Sequence, residues 1–110
     1  MNIDDRVKAC MLLDFYGGLL TERQLVISKR YFEDDASLVE IAEELGISRQ
    51  AVLDALKTSE NMLSHLESKL ELSKRHFELK HAVEEIIKKA KDSGVCDEVL
   101  SMLHDLDQYL

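Results

Sequence analysis

A chain of 110 residues with no proline, no tryptophan and a formal net charge of -8 is already confined to a few classes. The length suits one domain with a short appendage. No apolar run approaches the roughly 20 residues of a membrane span, and two lone cysteines cannot frame a disulfide-stapled secreted fold. Met1 to Lys8 carries Asp4 and Asp5 where a signal peptide would be apolar, so a cytosolic protein without membrane insertion is expected. Strong helix formers dominate the composition, which predicts an all-α fold. A core this small would gain from a partner subunit.

Taken in chain order, Ile3, Val7, Cys10, Met11 and Phe15 recur at helical spacing and predict a first amphipathic helix. Gly17-Gly18 should end it through left-handed backbone angles. Thr21-Glu-Arg-Gln24 matches a capping box, opening a second helix to about Phe32 that buries Leu25, Ile27 or Ser28, Tyr31 and Phe32. Glu33-Asp34-Asp35 is a polar break. Ser37 is an N-cap for a short helix with Leu38, Ile41, Ala42 and Leu45 on its inner stripe, ended by Gly46. Ser48 caps the next helix.

From 49 to 91 no residue breaks a helix. The apolar stripe Val52, Leu56, Leu63, Leu66, Leu70 and Phe77 has spacings near 3.5. Leu79, Val83, Ile86 and Ala90 continue it in a shifted register, so a bend or stutter belongs between Leu70 and Leu79. Ser93-Gly94 is a stop. Cys96, Val99, Leu103, Leu106 and Leu110 then form a last helical seam, predicted to fold back on Val83, Ile86 and Ala90 as an antiparallel hairpin. The reading is therefore a helix-turn-helix head over 1–60, followed over 61–110 by a long connecting helix and a C-terminal helical tail. Leu63, Leu66, Leu70, Phe77, Val83, Ile86, Val99, Leu103 and Leu106 are assigned to tail or dimer packing. Cys10 and Cys96 read as small buried hydrophobes, and Met1, Met11, Met62 and Met102 as scattered core fillers.

The most informative segment is 38–57, LVEIAEELGISRQAVLDALK. Ala42 is small enough for a close crossing of two helices. Gly46 supplies the left-handed turn, and Ile41, Leu45, Ile47, Val52 and Leu56 fill a shared core. Several constraints of a helix-turn-helix are met together. In a DNA-binding version the first turn after Ser48 enters the major groove. Arg49 and Gln50 are the candidate base readers, since Arg pairs bidentately with guanine and Gln with adenine. Lys57 and Ser48 are candidate phosphate contacts. The plainer reading makes Arg49 and Gln50 solvated first-turn residues. Charge favours that restraint: Glu40, Glu43, Glu44, Asp54 and Glu60 stand against Arg49 and Lys57 alone, a net of -3 over 37–60. Affinity for nucleic acid rests largely on cations that release phosphate counterions.

The basic stretch lies elsewhere. Over 69–91, Lys69, Lys74, Arg75, Lys80, Lys88, Lys89 and Lys91 outnumber four acids, whereas 92–110 has five acids and no base. The stretch could contact RNA or an acidic partner. It could equally be a solvated face, or be neutralised by the acidic tail.

The segments Leu12-Leu-Asp-Phe-Tyr16, Leu19-Leu-Thr-Glu-Arg-Gln24, Tyr31-Phe-Glu-Asp-Asp35 and Ser37-Leu through Ser48-Arg-Gln-Ala-Val52 with Asp54 together resemble the YlxM family of small bacterial proteins, over about residues 7–72. The architecture is similar to region 4 of primary sigma factors. Matching positions are Asp14, Phe15, Tyr16, Ser48, Arg49, Gln50, Ala51, Val52 and Asp54. Leu53 stands where an aromatic is common, and Thr58 where a second base often follows Lys57. The resemblance implies a component or regulator of the signal recognition particle pathway, with the particle's GTPase or its RNA as partner.

Catalysis is not expected. There is no glycine-rich phosphate loop and no nucleophile motif. No cofactor is implied. His65, His76, His81 and His104 lack His-x-x-x-His spacing, and His81 with Glu85 supplies two groups where a metal site needs more. Three functions remain: a protein- and RNA-binding regulator of the targeting particle, a DNA-binding transcriptional regulator using the helix-turn-helix, or a structural homodimer.

Overall fold

Six α-helices carry the chain in a computed structural model that describes residues 3–110: α1 (Ile3–Tyr16), α2 (Glu22–Phe32), α3 (Leu38–Leu45), α4 (Arg49–Leu70), α5 (Leu72–Asp92) and α6 (Asp97–Gln108). Met1 and the side chains of Ile3 and Asp4 lie outside the described residues. No strand occurs among those described, as the composition predicts. The helices group into two compact units, divided after Glu71.

In the first unit the helix starts are those the caps predict. The Thr21 hydroxyl accepts from the Gln24 amide at 3.2 Å, and the Thr21 amide donates to Gln24 Oε1 at 3.0 Å. Ser37 Oγ accepts from the Glu40 amide at 3.0 Å. Gly46, at φ +66°, makes the turn between α3 and α4 in the left-handed region that side chains resist. Gly17-Gly18 works differently from the expectation. It forms a single 3-10 turn without positive φ. At Gly17 a Cβ would lie 3.0 Å from Leu25 Cδ1, a tight contact that the leucine side chain would have to shift to accept.

The core of this unit joins Leu12, Leu13 and Tyr16 of α1 to Ile27 and Phe32 of α2, Ile41 and Ala42 of α3, and Val52, Leu56 and Leu63 of α4. The expected stripe on α1 is thereby rotated, and Val7 is exposed. Residues 9–16 are apolar on several sides, so periodicity does not choose the face; packing against α2 and α4 does. The Tyr16 hydroxyl donates to Glu67 Oε1 at 2.6 Å, across 51 positions of sequence. Arg6 clasps the end of α2, donating to the Phe32 and Tyr31 carbonyls at 2.8 and 3.3 Å and pairing with Asp35 at 2.7 Å. Cys10 is half-buried, and its thiol donates to the Phe32 carbonyl at 3.4 Å. Burial pushes that thiol above its ordinary pKa and keeps it protonated.

Ser28 is fully buried with no hydrogen-bond partner for its hydroxyl among the described residues. A buried polar group without a partner costs about 1–3 kcal/mol. Ser28→Ala is therefore expected to stabilise the protein by about 1 kcal/mol, read as a rise of several degrees in a thermal melt.

The helical stretch over 49–91, with a bend or stutter expected between Leu70 and Leu79, is interrupted at Glu71. Its φ is +52°, and its amide caps α4 by donating to the Glu67 carbonyl at 2.9 Å. The break falls inside the predicted interval. A non-glycine residue here costs about 1–2 kcal/mol, and nothing local in the sequence dictates it.

The second unit is an antiparallel hairpin. Lys80 Nζ pairs with the Asp107 carboxylate and donates to the Asp107 carbonyl, both at 3.1 Å. Val83, Ile87 and Ala90 of α5 share the inner seam with Leu100 and Leu103 of α6 and with Leu110 just beyond its end. The expected seam is thus corrected at three positions. Ile87 points inward where Ile86 was expected, and Val99 and Leu106 are exposed. Cys96 is exposed as well, and Met102 is an exposed side chain instead of a core filler. Asp107 takes an inner position because Lys80 neutralises it. Leu63 is 1% exposed within the first unit and Leu66 packs against the same core, so the head covers residues that were assigned to a tail or dimer seam. Leu70 and Phe77 are exposed.

Candidate nucleic-acid interface

The reading turn is built from α4 upward. Ser48 Oγ accepts from the Ala51 amide at 3.0 Å, which starts the helix and leaves the hydroxyl proton free to donate. Val52 and Leu56 anchor the inner side of α4 in the core. Helical spacing then sends Gln50, Asp54 and Lys57 to the outer side, whereas Arg49 falls on the side of Val52 and Leu56 and is exposed because it opens the helix; all four are exposed. Of the four residues singled out from sequence, Gln50 and Lys57 share the outer side of α4, and Ser48 and Arg49 are exposed where the helix begins.

Two interactions on this surface were missed by the sequence reading. Gln50 Nε2 donates to Asp54 Oδ1 at 2.9 Å, so the candidate adenine reader is tethered to an acid one turn on. The i, i+4 spacing is a signal that could have revealed it. Arg30 of α2 grips Glu44 of α3 with two guanidinium hydrogen bonds, one of them 3.0 Å, and reaches Asp34 at 3.2 Å. These bonds hold the Glu44 carboxyl below its usual pKa and raise Arg30 further. Arg30 is committed to fixing α3 against α2, and it offsets one of the acids counted against phosphate binding.

The basic stretch is distributed. Lys69 is exposed near the end of α4, and Arg75, Lys88, Lys89 and Lys91 are exposed on α5. Lys74 is exposed too and engaged in contacts of its own. Lys80 is taken by Asp107. Among the described residues no group of three or more His, Cys, Asp or Glu is placed to hold a metal, and no helix is long and apolar enough to cross a membrane.

A cavity of about 250 Å³ opens between α1, α2 and α4, lined by Asp5, Lys8, Leu12, Phe32, Glu60 and Leu63 among others. Partial burial, and then the Asp5 carboxylate, raise the Glu60 pKa above 4.5. A carboxyl whose folded pKa exceeds its unfolded one binds its proton more tightly in the native state. Stability then falls as pH rises from about 4.5 through the raised value, and the penalty is complete above it. Glu60→Gln is expected to be more stable than the parent at pH 7 and to lose that advantage below about pH 4.5. Melts at the two pH values check this.

The comparisons with known proteins agree with this architecture. The family model described as "Putative helix-turn-helix protein, YlxM / p13 like", UPF0122, matches residues 3–103. A UPF0122 protein of Streptococcus agalactiae (serotype III, strain NEM316) is 36% identical over 107 residues, 97% of each chain. One of Caldanaerobacter subterraneus subsp. tengcongensis is 48% identical over 83 residues, covering 76% of this chain and 71% of the relative.

Proposed function

The chain belongs to the UPF0122 family of YlxM/p13-like helix-turn-helix proteins, and we propose that it is a non-enzymatic, cytoplasmic DNA-binding regulator that presents the first turn of α4 to the major groove. The observation that carries this reading is the exposure of Arg49 and Gln50 directly after the Ser48 cap, with Lys57 two turns along on the same face as Gln50. A side chain at that place in a helix-turn-helix reaches base edges. With few cations on the face, one head gains little from counterion release. The regulator therefore acts as a homodimer, in which two heads double the phosphate contacts and bind with avidity.

The test is selection from a randomised duplex library, followed by titration at near-physiological salt. Enrichment of a defined sequence supports the reading. A pool that stays random through every round overturns it.

The exposed Lys69, Lys88 and Lys91 favour a second reading, contact with the signal recognition particle's RNA or its GTPase. Titration against each, with duplex DNA alongside, separates the two. Binding to the RNA or GTPase with DNA at background would replace the first reading.

A further inference from the structure

Each helix of the hairpin carries a second apolar stripe beside its inner seam. On α6 it is Val99, Met102 and Leu106, continued by Tyr109 at the C-cap; on α5 it is Leu79 and Ile86. All six are exposed, Met102 by 65% and Tyr109 by 88%. Each immediately precedes an inner position: 79 before Lys80, 86 before Ile87, 99 before Leu100, 102 before Leu103, 106 before Asp107, 109 before Leu110. One step back along a helix turns the side chain by about 100° in a fixed sense. In antiparallel helices that same sense brings both stripes to the same side of the hairpin. The result is one continuous apolar face.

We infer that this face is the homodimer interface, packed against the same face of a second copy so that two hairpins form a four-helix bundle. The inference deepens the homodimer part of the function proposed above and rests on it. The six side chains expose roughly 700 Å² per copy, close to the roughly 800 Å² per partner of a standard interface. Only Val83 and Ile87 are apolar and fully buried within the hairpin, and a unit of about 40 residues ordinarily needs help from oligomerisation. Charge selects the occupant and its orientation. On α5, Arg75 and Lys89 flank the face beside Glu78 and Glu85. On α6, Glu98 and Asp105 flank it with no base among them. A two-fold axis along the helices sets the acids of α6 against the partner's α5, which carries the bases. An axis across them would set like against like. In the first arrangement Lys89, at the outer edge of α5, comes beside Glu98 of the partner subunit, while Lys89 and Glu98 of one chain stand on opposite edges of their own hairpin.

Sedimentation of the full chain tests this. A dimer is expected at micromolar concentration, and Met102→Glu should weaken it at least about 100-fold, since two charges would be buried across the axis. Met102 is so exposed that helix content by circular dichroism should persist. Lys89→Glu and Glu98→Lys should each weaken the dimer about three- to tenfold, and the double exchange in one chain should restore it. A monomer at about 100 µM, or a dimer indifferent to Met102→Glu, would overturn the interface. A double exchange as weak as the single ones would overturn the α5–α6 pairing. A dimer that obeys all these changes yet selects no duplex would leave the interface standing and sink the DNA reading alone.

Discussion

Leu63→Ala should cost the protein about 2–5 kcal/mol, the range for truncating a fully buried leucine. Leu63 is 1% exposed at the meeting of α1, α2 and α4. The site already borders a cavity, so the vacated space would merge with it and little collapse would offset the loss. For a head of this size the midpoint should fall by roughly 10 °C or more. The loss should be the same at 2 and 200 µM protein, because the cover comes from the residue's own unit. A loss that varied with concentration would place Leu63 in an interface, as its heptad spacing alone would suggest.

Arg49→Ala should have the largest effect on duplex binding. Removing a bidentate guanine contact costs about 1–3 kcal/mol, roughly 10- to 100-fold, and relaxes specificity at the contacted base. Lys57→Ala is the control: it should weaken all sequences evenly and reduce the slope of log K against log salt by about one. Gln50 contributes less than its position suggests, since reading adenine requires breaking its bond to Asp54. Titration of the three proteins against the selected duplex and a scrambled one separates these outcomes. A uniform loss for Arg49→Ala would make that residue a phosphate contact.

What was legible in the sequence was legible because its cause is local. Thr21, Ser37 and Ser48 cap helices within three residues of themselves, and Gly46 answers a backbone angle, so the motif and its reading turn could be placed in advance. What was not legible depends on partners far away in sequence. Glutamate is a good helix former, and nothing beside Glu71 announces that it will take a left-handed conformation. Ile86 and Ile87 are equal to a periodicity argument, and only packing against α6 chooses Ile87. Arg30 and Glu44 lie fourteen positions apart, and only the packing of α3 on α2 brings them together. The face of α1 was misjudged because the residues around Leu12 are apolar on several sides.

Tyr16 holds α4 at Glu67, whereas Arg49 stands at the other end of the same helix. Eighteen residues of rise separate the two points by about 27 Å. Val52, Leu56 and Leu63 are seated in the core between those two points, so α4 is a keel, fastened along its length. The reading turn takes its position from the same packing that folds the head, and loosening that packing would blunt recognition with every contact residue still in place.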